Sequence, residues 1–199
     1  MKKFVQNMIT IAKYKGESME DNKFIDKELN MLKIIKSNKI VLLQSLVGSG
    51  GIVFTKKVIE KYLQEKKNVL IIDSTKKMTE EFYYKNGDYS TYKNNLILID
   101  KYNSIKLLQE LMHNKFHQDV FIFINDIEFF WNIQTGIVLG TKYHENELTK
   151  AFMDFLLFAK KNKHNVLMRA NTLNFINYGR LAETLISEST VLEYSRFDY

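Results

Sequence analysis

Residues 40–52 have the sequence IVLLQSLVGSGGI, an apolar run followed by a glycine-rich turn. Similar short apolar runs, each bounded by polar residues, recur at 69–73, 96–100, 120–125 and 166–169. Longer segments with apolar residues at helical spacing lie between them, at 21–37, 52–65, 104–114 and 145–161. This alternation predicts an α/β fold with parallel strands buried under helices on both faces.

The rest of the chain adds fewer elements. The polar segment 74–95 contains the turn signal Asn86-Gly87-Asp88 and predicts one short helix at 79–84. A helix at 178–187 and a last strand at 189–194 complete the predicted elements. Because no repeat or linker divides the chain, we predict one domain over residues 21–199, with residues 1–20 as an N-terminal arm.

Composition excludes several classes of protein. The 199 residues are 45% hydrophobic and 26% charged, as in packed globular domains, and they include no cysteine. Disulfides, thiolate metal sites and a cysteine nucleophile are therefore excluded. The basic N-terminus lacks the small-residue cleavage site of a signal peptide, and no apolar run is long enough for a membrane span. We predict an intracellular protein, cytoplasmic or nuclear, with no membrane partner.

The charge balance permits a polyanionic partner. Lysine and arginine exceed aspartate and glutamate by 29 to 23, a net charge of +6. Such an excess suits nucleic acid, although lysine-rich composition by itself explains it equally well. Among the four histidines only His113 and His117 have the spacing of a helical metal site, and no third ligand follows. We predict no metal site.

The glycine-rich turn lies where a P-loop would lie, between a buried strand and a helix N-terminus. The P-loop pattern requires Gly, four residues, Gly, Lys and then Ser or Thr. With its second Gly placed on Gly50, Ser45 takes the first Gly position, Gly51 the Lys position and Ile52 the hydroxyl position. Since that lysine contacts the β and γ phosphates and the hydroxyl ligates magnesium, we predict no ATP hydrolysis, no catalytic residues and no cofactor.

A degenerate P-loop remains, made of Gly48, Ser49, Gly50 and Gly51. Its backbone amides at 49–51 and the helix dipole could still bind an anion weakly. The alternative is that the turn only connects a strand to a helix. A hypothesis in which Lys56 or Lys57 replaces the missing lysine requires the side chain to fold back by a helical turn or more.

A second feature resembling a P-loop protein is the strand VFIFIND at 120–126, which ends in polar residues like a Walker-B strand. Asp126 could hold a magnesium-bound water, and Asn125 occupies the neighbouring position. Because Asp is a favoured N-cap residue and Ile52 supplies no hydroxyl to a magnesium site, we expect Asp126 instead to cap a helix that begins at residue 127.

In this order of elements, residues 38–196 resemble the RecA-like branch of the P-loop ATPases. The resemblance implies a RecA-like three-layer fold with a mostly parallel central sheet. The segments 40–63, 120–136 and 151–161 look most like the catalytically degenerate, smallest accessory subunits of the Elongator complex. That family implies a non-catalytic subunit of a hetero-oligomeric ring of RecA-like chains, which binds tRNA and supports modification of its wobble uridine.

The alternative is a degenerate RecA-type recombinase paralog, similar to the Shu-type mediators, which acts as a DNA-binding adaptor in homologous recombination. In RecA-like folds, nucleic acid binds at loops that correspond here to about 134–146 and 170–180. The resemblance therefore implies that Lys142, Tyr143, Arg169 and Arg180 are candidate nucleic-acid contacts, with cations for phosphates and an aromatic ring for stacking. Ordinary solvated loop residues would have the same composition.

Overall fold

The computed structural model describes residues 19–73, 75, 78, 95–100, 104–113, 119–127, 142–171 and 179–195. The chain divides into two units between Ile34 and Ile35. Most of helix α1 (Met19–Ser37) belongs to the first unit, and the sheet belongs to the second. The predicted arm, residues 1–20, lies outside the described residues except for its last two positions, so its boundary stays a prediction.

The described part of the second unit contains four further helices and six strands. The helices are α2 (Gly51–Gln64), α3 (Ser104–His113), α4 (Lys142–Lys161) and α5 (Gly179–Glu188). The strands are β1 (Ile40–Ser45), β2 (Val69–Ile72), β3 (Leu96–Ile99), β4 (Phe121–Ile124), β5 (Asn165–Asn171) and β6 (Thr190–Tyr194). Every predicted strand is confirmed to within two residues at each end. The short helix predicted at 79–84 lies outside the described residues.

The six strands form one sheet in the order β3-β2-β4-β5-β1-β6, and all neighbouring strands are parallel. Strand β1 is an interior strand next to the edge strand β6, with Leu43 opposite Arg169 of β5 on one side and Leu192 of β6 on the other. Because β5 lies between β1 and β4, the glycine turn and the end of β4 are separated by one strand. The predicted mostly parallel α/β fold is confirmed.

Helices cover both faces of the sheet, and the period-two alternation of strands explains how. Even-numbered residues of β1, β2, β4 and β5 form one buried cluster with apolar residues of α3, α4 and α5. Odd-numbered residues point to the opposite face, where Phe121 stacks on Tyr62 of α2 with ring centroids 3.9 Å apart. Strands apolar on both faces are thus buried between two helical layers, as the sequence predicts. Of the helices described, none is long and apolar enough to cross a membrane.

Candidate functional site

The glycine turn connects β1 to α2 through two left-handed glycines. Gly48 has φ of 83° and Gly50 has φ of 84°, a backbone conformation that L side chains rarely adopt. The Ser49 amide donates to the Leu46 carbonyl oxygen at 3.2 Å, and the Ser49 hydroxyl donates to the same oxygen at 2.7 Å. The amide of Ser49 is therefore used within the turn itself. An anion bound at the turn would therefore have to accept hydrogen bonds from the backbone amides of the residues after Ser49.

The Ser49 hydroxyl also ties the turn to β6. It lies 3.4 Å from the carbonyl oxygen of Tyr194, whose ring stacks on Phe54 of α2 with centroids 4.7 Å apart. Ser49 is 5% exposed and Tyr194 is 4% exposed. The turn is thus held against the sheet from two sides by a buried serine and an aromatic pair.

Gly51 and Ser45 occupy a shared space. A Cβ on Gly51 would lie 2.7 Å from the Ser45 Cβ and would overlap the Ser45 Oγ. Ser45 is 1% exposed, and among the described residues its hydroxyl has no hydrogen-bond partner. The serine in the first Gly position of the P-loop pattern therefore fills the volume that a lysine at position 51 would need. The serine at position 45 and the absence of a side chain at position 51 are therefore sterically linked. The sequence analysis treated them as two separate departures from the pattern.

Apolar side chains surround the turn. Leu46, Val47 and Val53 are 38%, 81% and 55% exposed. Residues 45–53 contain no lysine or arginine, and Ile52 is only half-buried. A phosphate group at the turn would therefore face hydrocarbon and would find no cation within the turn.

A buried polar network lies at the carboxyl ends of β2, β4 and β5. Asp73 and Asn125 are fully buried, and Arg169 is 6% exposed. Oδ1 of Asp73 accepts hydrogen bonds from the Thr75 amide at 3.1 Å and the Thr75 hydroxyl at 2.6 Å, and Oδ2 accepts from the Met78 amide at 2.6 Å. Buried carboxylates require such partners, and these bonds fix the chain that leaves β2.

Asn125 connects the acidic and basic members of the network. Its Nδ2 donates to Asp73 Oδ1 at 2.8 Å, and its Oδ1 accepts from Arg169 Nε at 2.7 Å. A carboxylate can only accept and a guanidinium can only donate, so their placement fixes the orientation of the amide between them. No single ionised side chain could satisfy both neighbours. This explains chemically why an asparagine occupies the Walker-B-like position.

Asp126 is the second Walker-B-like residue. It has φ of 56°, and its Oδ2 lies 3.6 Å from a terminal nitrogen of Arg169. Its side chain is 22% exposed. In the part of the chain that the structure describes, no group of three or more His, Asp or Glu side chains could hold a metal ion. Asp126 thus takes part in balancing the charge of Arg169.

The structure places the predicted nucleic-acid contacts in different environments. Arg169 is held within the Asp73–Asn125 network and presents little surface to a ligand. Lys142 and Tyr143 begin α4, and Arg180 lies in the first turn of α5. The side chains of these three residues lie outside the described part of the structure, as do most of the two predicted loops. Contact of these residues with nucleic acid therefore stays a prediction.

Comparison with known proteins identifies the fold. No protein-family model matches this sequence, and the curated proteins give no significant match. A protein of Pyrococcus horikoshii OT3, solved in a structural study, aligns with a TM-score of 0.51 and 12% identity over 79% of this chain and 82% of its own. A second solved structure, described as an ATPase domain, aligns with a TM-score of 0.51 and 10% identity over 78% of this chain and 69% of its own. The six-stranded sheet and its helices thus have the fold of RecA-like ATPase domains.

Proposed function

We propose that this chain is a non-catalytic RecA-like subunit of a multiprotein assembly. The observation that carries the proposal is that Ser45 occupies the space that a side chain at position 51 would need. Ile52 offers no hydroxyl to magnesium. A nucleoside triphosphate at the turn would lack both the cation and the metal ligand on which phosphoryl transfer depends.

The end of β4 supports the same proposal. Asn125 uses its amide nitrogen and oxygen on Asp73 and Arg169, and Asp126 is paired with Arg169. The residues that would position magnesium or a water in an active member serve internal packing in this chain.

Exposed apolar side chains support membership in an assembly. Leu46, Val47 and Val53 cluster in sequence at the turn, and the latter two are more than half exposed. Adjacent exposed apolar side chains commonly mark protein–protein contacts. A glycine turn that lacks the P-loop lysine and hydroxyl would then serve as a contact surface for another subunit.

Within this class we propose an Elongator-type accessory subunit that supports modification of the tRNA wobble uridine. Its partners would be other RecA-like subunits in a hetero-oligomer. The sequence resemblance over 40–63 and 120–136 supports this choice. A recombinase paralog that mediates homologous recombination on DNA is the alternative, and it would share the fold and the degenerate turn.

Nucleotide binding tests the non-catalytic part of the proposal. We expect calorimetric titration of the full chain with Mg-ATP to give no saturable binding up to millimolar concentration, and no hydrolysis. Lys56→Ala should change nothing, with Lys57→Ala as its matched control. Tight ATP binding that Lys56→Ala abolishes and Lys57→Ala retains would overturn the proposal in favour of an active enzyme.

Affinity purification from the native cell tests the choice of assembly. Recovery of the tagged chain with two other RecA-like chains and the large Elongator subunits is the expected result. Recovery with a recombinase or its paralogs would instead establish the alternative. A preference for tRNA over DNA, measured at one fixed salt concentration, should agree with the partners found.

A further inference from the structure

Four lysines lie at the amino-terminal edge of the sheet, opposite to the edge that carries the glycine turn. Lys39 immediately precedes β1, Lys66 and Lys67 lie just before β2, and Lys163 lies just before β5. We call these four residues the lysine rim. Strands β2, β4, β5 and β1 are consecutive in the sheet, so their starts span about 14 Å at a spacing of ~4.8 Å. The sequence analysis did not group these lysines because they are up to 124 residues apart in the chain.

The contacts of the rim show that its members share one electrostatic environment. Lys67 Nζ lies 3.0 Å from Asp119 Oδ2, and Lys39 Nζ donates to the Lys163 carbonyl oxygen at 3.2 Å. Lys67 lowers the pKa of Asp119 through its hydrogen bond and its charge, and the charges of Lys39 and Lys163 add to the effect. Three of the four ammonium groups therefore act on this one carboxylate.

Neutralisation of helix ends does not account for all of this charge. Helices α1, α2, α4 and α5 each end within five residues of the start of a strand, and each helix C-terminus carries about −0.5 of an elementary charge. With Asp119, these ends supply about −3 against the +4 of the rim, while Glu65 and Glu188 are paired with Lys36 and Lys160. An excess of about one positive charge remains.

Two of the lysines occupy left-handed backbone positions that end helices. Lys66 and Lys163 have φ of 58° and 62°, directly after the ends of α2 and α4. Glycine or asparagine is the usual residue at such a left-handed position, because an L side chain adopts it at a conformational cost. Both lysines are exposed. The amides of Lys66 and Lys163 cap the ends of α2 and α4 by donating to the carbonyl oxygens of Leu63 and Lys160 at 2.9 and 3.2 Å.

We propose that the lysine rim binds the phosphate backbone of a nucleic acid. The inference rests on the proposed nucleic-acid-contacting function and assigns that function a surface. Along the axis of a duplex each strand places one phosphate every ~3.4 Å, so a rim of about 14 Å has the length of about four base-pair steps. The surface is remote from the predicted contact Lys142, because α4 separates that residue from Lys161 by about 28 Å.

The test measures binding of the full chain to labelled 20-nucleotide RNA, single-stranded DNA and duplex DNA by fluorescence anisotropy between 50 and 200 mM salt. The variant Lys66→Gly/Lys163→Gly removes two charges and suits the left-handed backbone. We expect its affinity to fall about tenfold near 150 mM salt for every sequence tested. The slope of log K against log salt should fall by about 1.4 for single strands and 1.8 for duplex.

The matched control is Lys57→Gln/Lys150→Gln, which removes two charges from the middle of α2 and α4 and should leave the slope within about 0.5 of the parent value. Lys66→Gln/Lys163→Gln serves as a second rim variant that retains side chains at both positions. We expect both rim variants to lose the same slope. Unchanged binding in a folded rim variant would overturn the inference.

The outcomes separate this inference from the proposed function. Binding that survives the rim variants and is lost in Lys142→Glu/Arg180→Glu would overturn the rim and retain the proposed function. No binding of the parent chain to any of the three nucleic acids, or to tRNA, would overturn both. Tighter binding to phosphatidylserine vesicles than to nucleic acid at equal salt would also overturn the inference, since it would identify a membrane surface as the preferred polyanion.

Discussion

At the scale of single residues, two buried polar side chains lie at the positions where this sequence departs from the P-loop and Walker-B patterns. Ser45 occupies the space next to Gly51, and Asn125 connects Asp73 to Arg169. Each departure is stabilised by its surroundings. Restoring a consensus residue at only one of these positions should therefore damage the fold and leave nucleotide binding absent.

Gly51→Ala should destabilise the protein by about 1–3 kcal/mol, because rotation of the Ser45 hydroxyl cannot move the Ser45 Cβ, which would lie 2.7 Å away. In a Ser45→Gly background the same substitution should cost less than about 0.5 kcal/mol, since the space is open and alanine favours a helix over glycine. Urea denaturation of the four proteins in this cycle measures the coupling. Additivity within about 0.5 kcal/mol would contradict the shared-space account.

Asn125→Asp should destabilise by about 3 kcal/mol, because it places a second buried carboxylate against Asp73, 2.8 Å from the present amide nitrogen. The exchange variant Asp73→Asn/Asn125→Asp should recover part of the stability. Chemical denaturation of the single and exchange variants at pH 8 measures both effects, and an Asn125→Asp protein as stable as the parent would refute this account.

At the scale of elements, the joint between α4 and β5 carries a buried histidine. His164 is 1% exposed, and its Nδ1 accepts a hydrogen bond from the Val120 amide at 3.4 Å. The Asn165 amide in turn donates to the Val120 carbonyl oxygen at 3.1 Å. A neutral imidazole thus helps to pair the beginnings of β4 and β5. If Nδ1 of His164 were protonated, its N–H would face the N–H of Val120, and this hydrogen bond would be lost.

Stability should fall as pH decreases below about 6.5, because burial lowers the pKa of His164 from its ordinary value of 6.5, an effect that Asp119 opposes and Lys39 adds to. The unfolded chain then binds a proton that the folded chain does not, so this contribution is complete above pH 6.5 and is lost toward the lower folded pKa. His164→Gln should remove this dependence of stability on pH between pH 7 and 5, as measured by thermal unfolding.

A separate loss of stability below pH 3.8 should persist in the His164→Gln variant, because Lys67 holds the pKa of Asp119 below its usual value. An identical slope in both proteins between pH 7 and 5 would exclude His164 as its source.

At the scale of the whole molecule, the sheet has a buried centre and exposed edges. Strand β1 has two neighbours, and its Leu43 is completely buried, whereas edge strand β3 has Ile97 55% exposed. The glycine turn and the network around Asn125 lie at the carboxyl ends of interior strands, each of which is hydrogen-bonded to a neighbour on both sides.

Leu43→Ala should destabilise the protein by about 2–5 kcal/mol, because it leaves a cavity where a side chain of an interior strand is completely buried. Ile97→Ala, which removes a side chain of similar volume from the edge, should cost less than about 1 kcal/mol. Midpoints of urea unfolding compare the two variants directly. Equal losses would indicate that the edge strand is covered by a partner in the sample.

Much of this architecture follows from local pattern. Buried parallel strands are predicted from the apolar runs at 40–44 and 69–73, and a covering helix from the helical spacing at 104–114. Such predictions are possible because side chains change direction with a fixed period along a strand or a helix. The alignment of the glycine turn likewise predicts the absent lysine and hydroxyl. These inferences need only neighbours along the chain.

Tertiary structure alone decided which distant residues meet. The overlap of Ser45 with position 51, the bridge from Asp73 through Asn125 to Arg169, and the gathering of Lys39, Lys67 and Lys163 around Asp119 all depend on the strand order. In a parallel sheet every strand begins at one edge and ends at the other, so residues up to 124 positions apart become neighbours. The sequence determined the chemistry available at each strand end, and the sheet order determined which of those groups could act together.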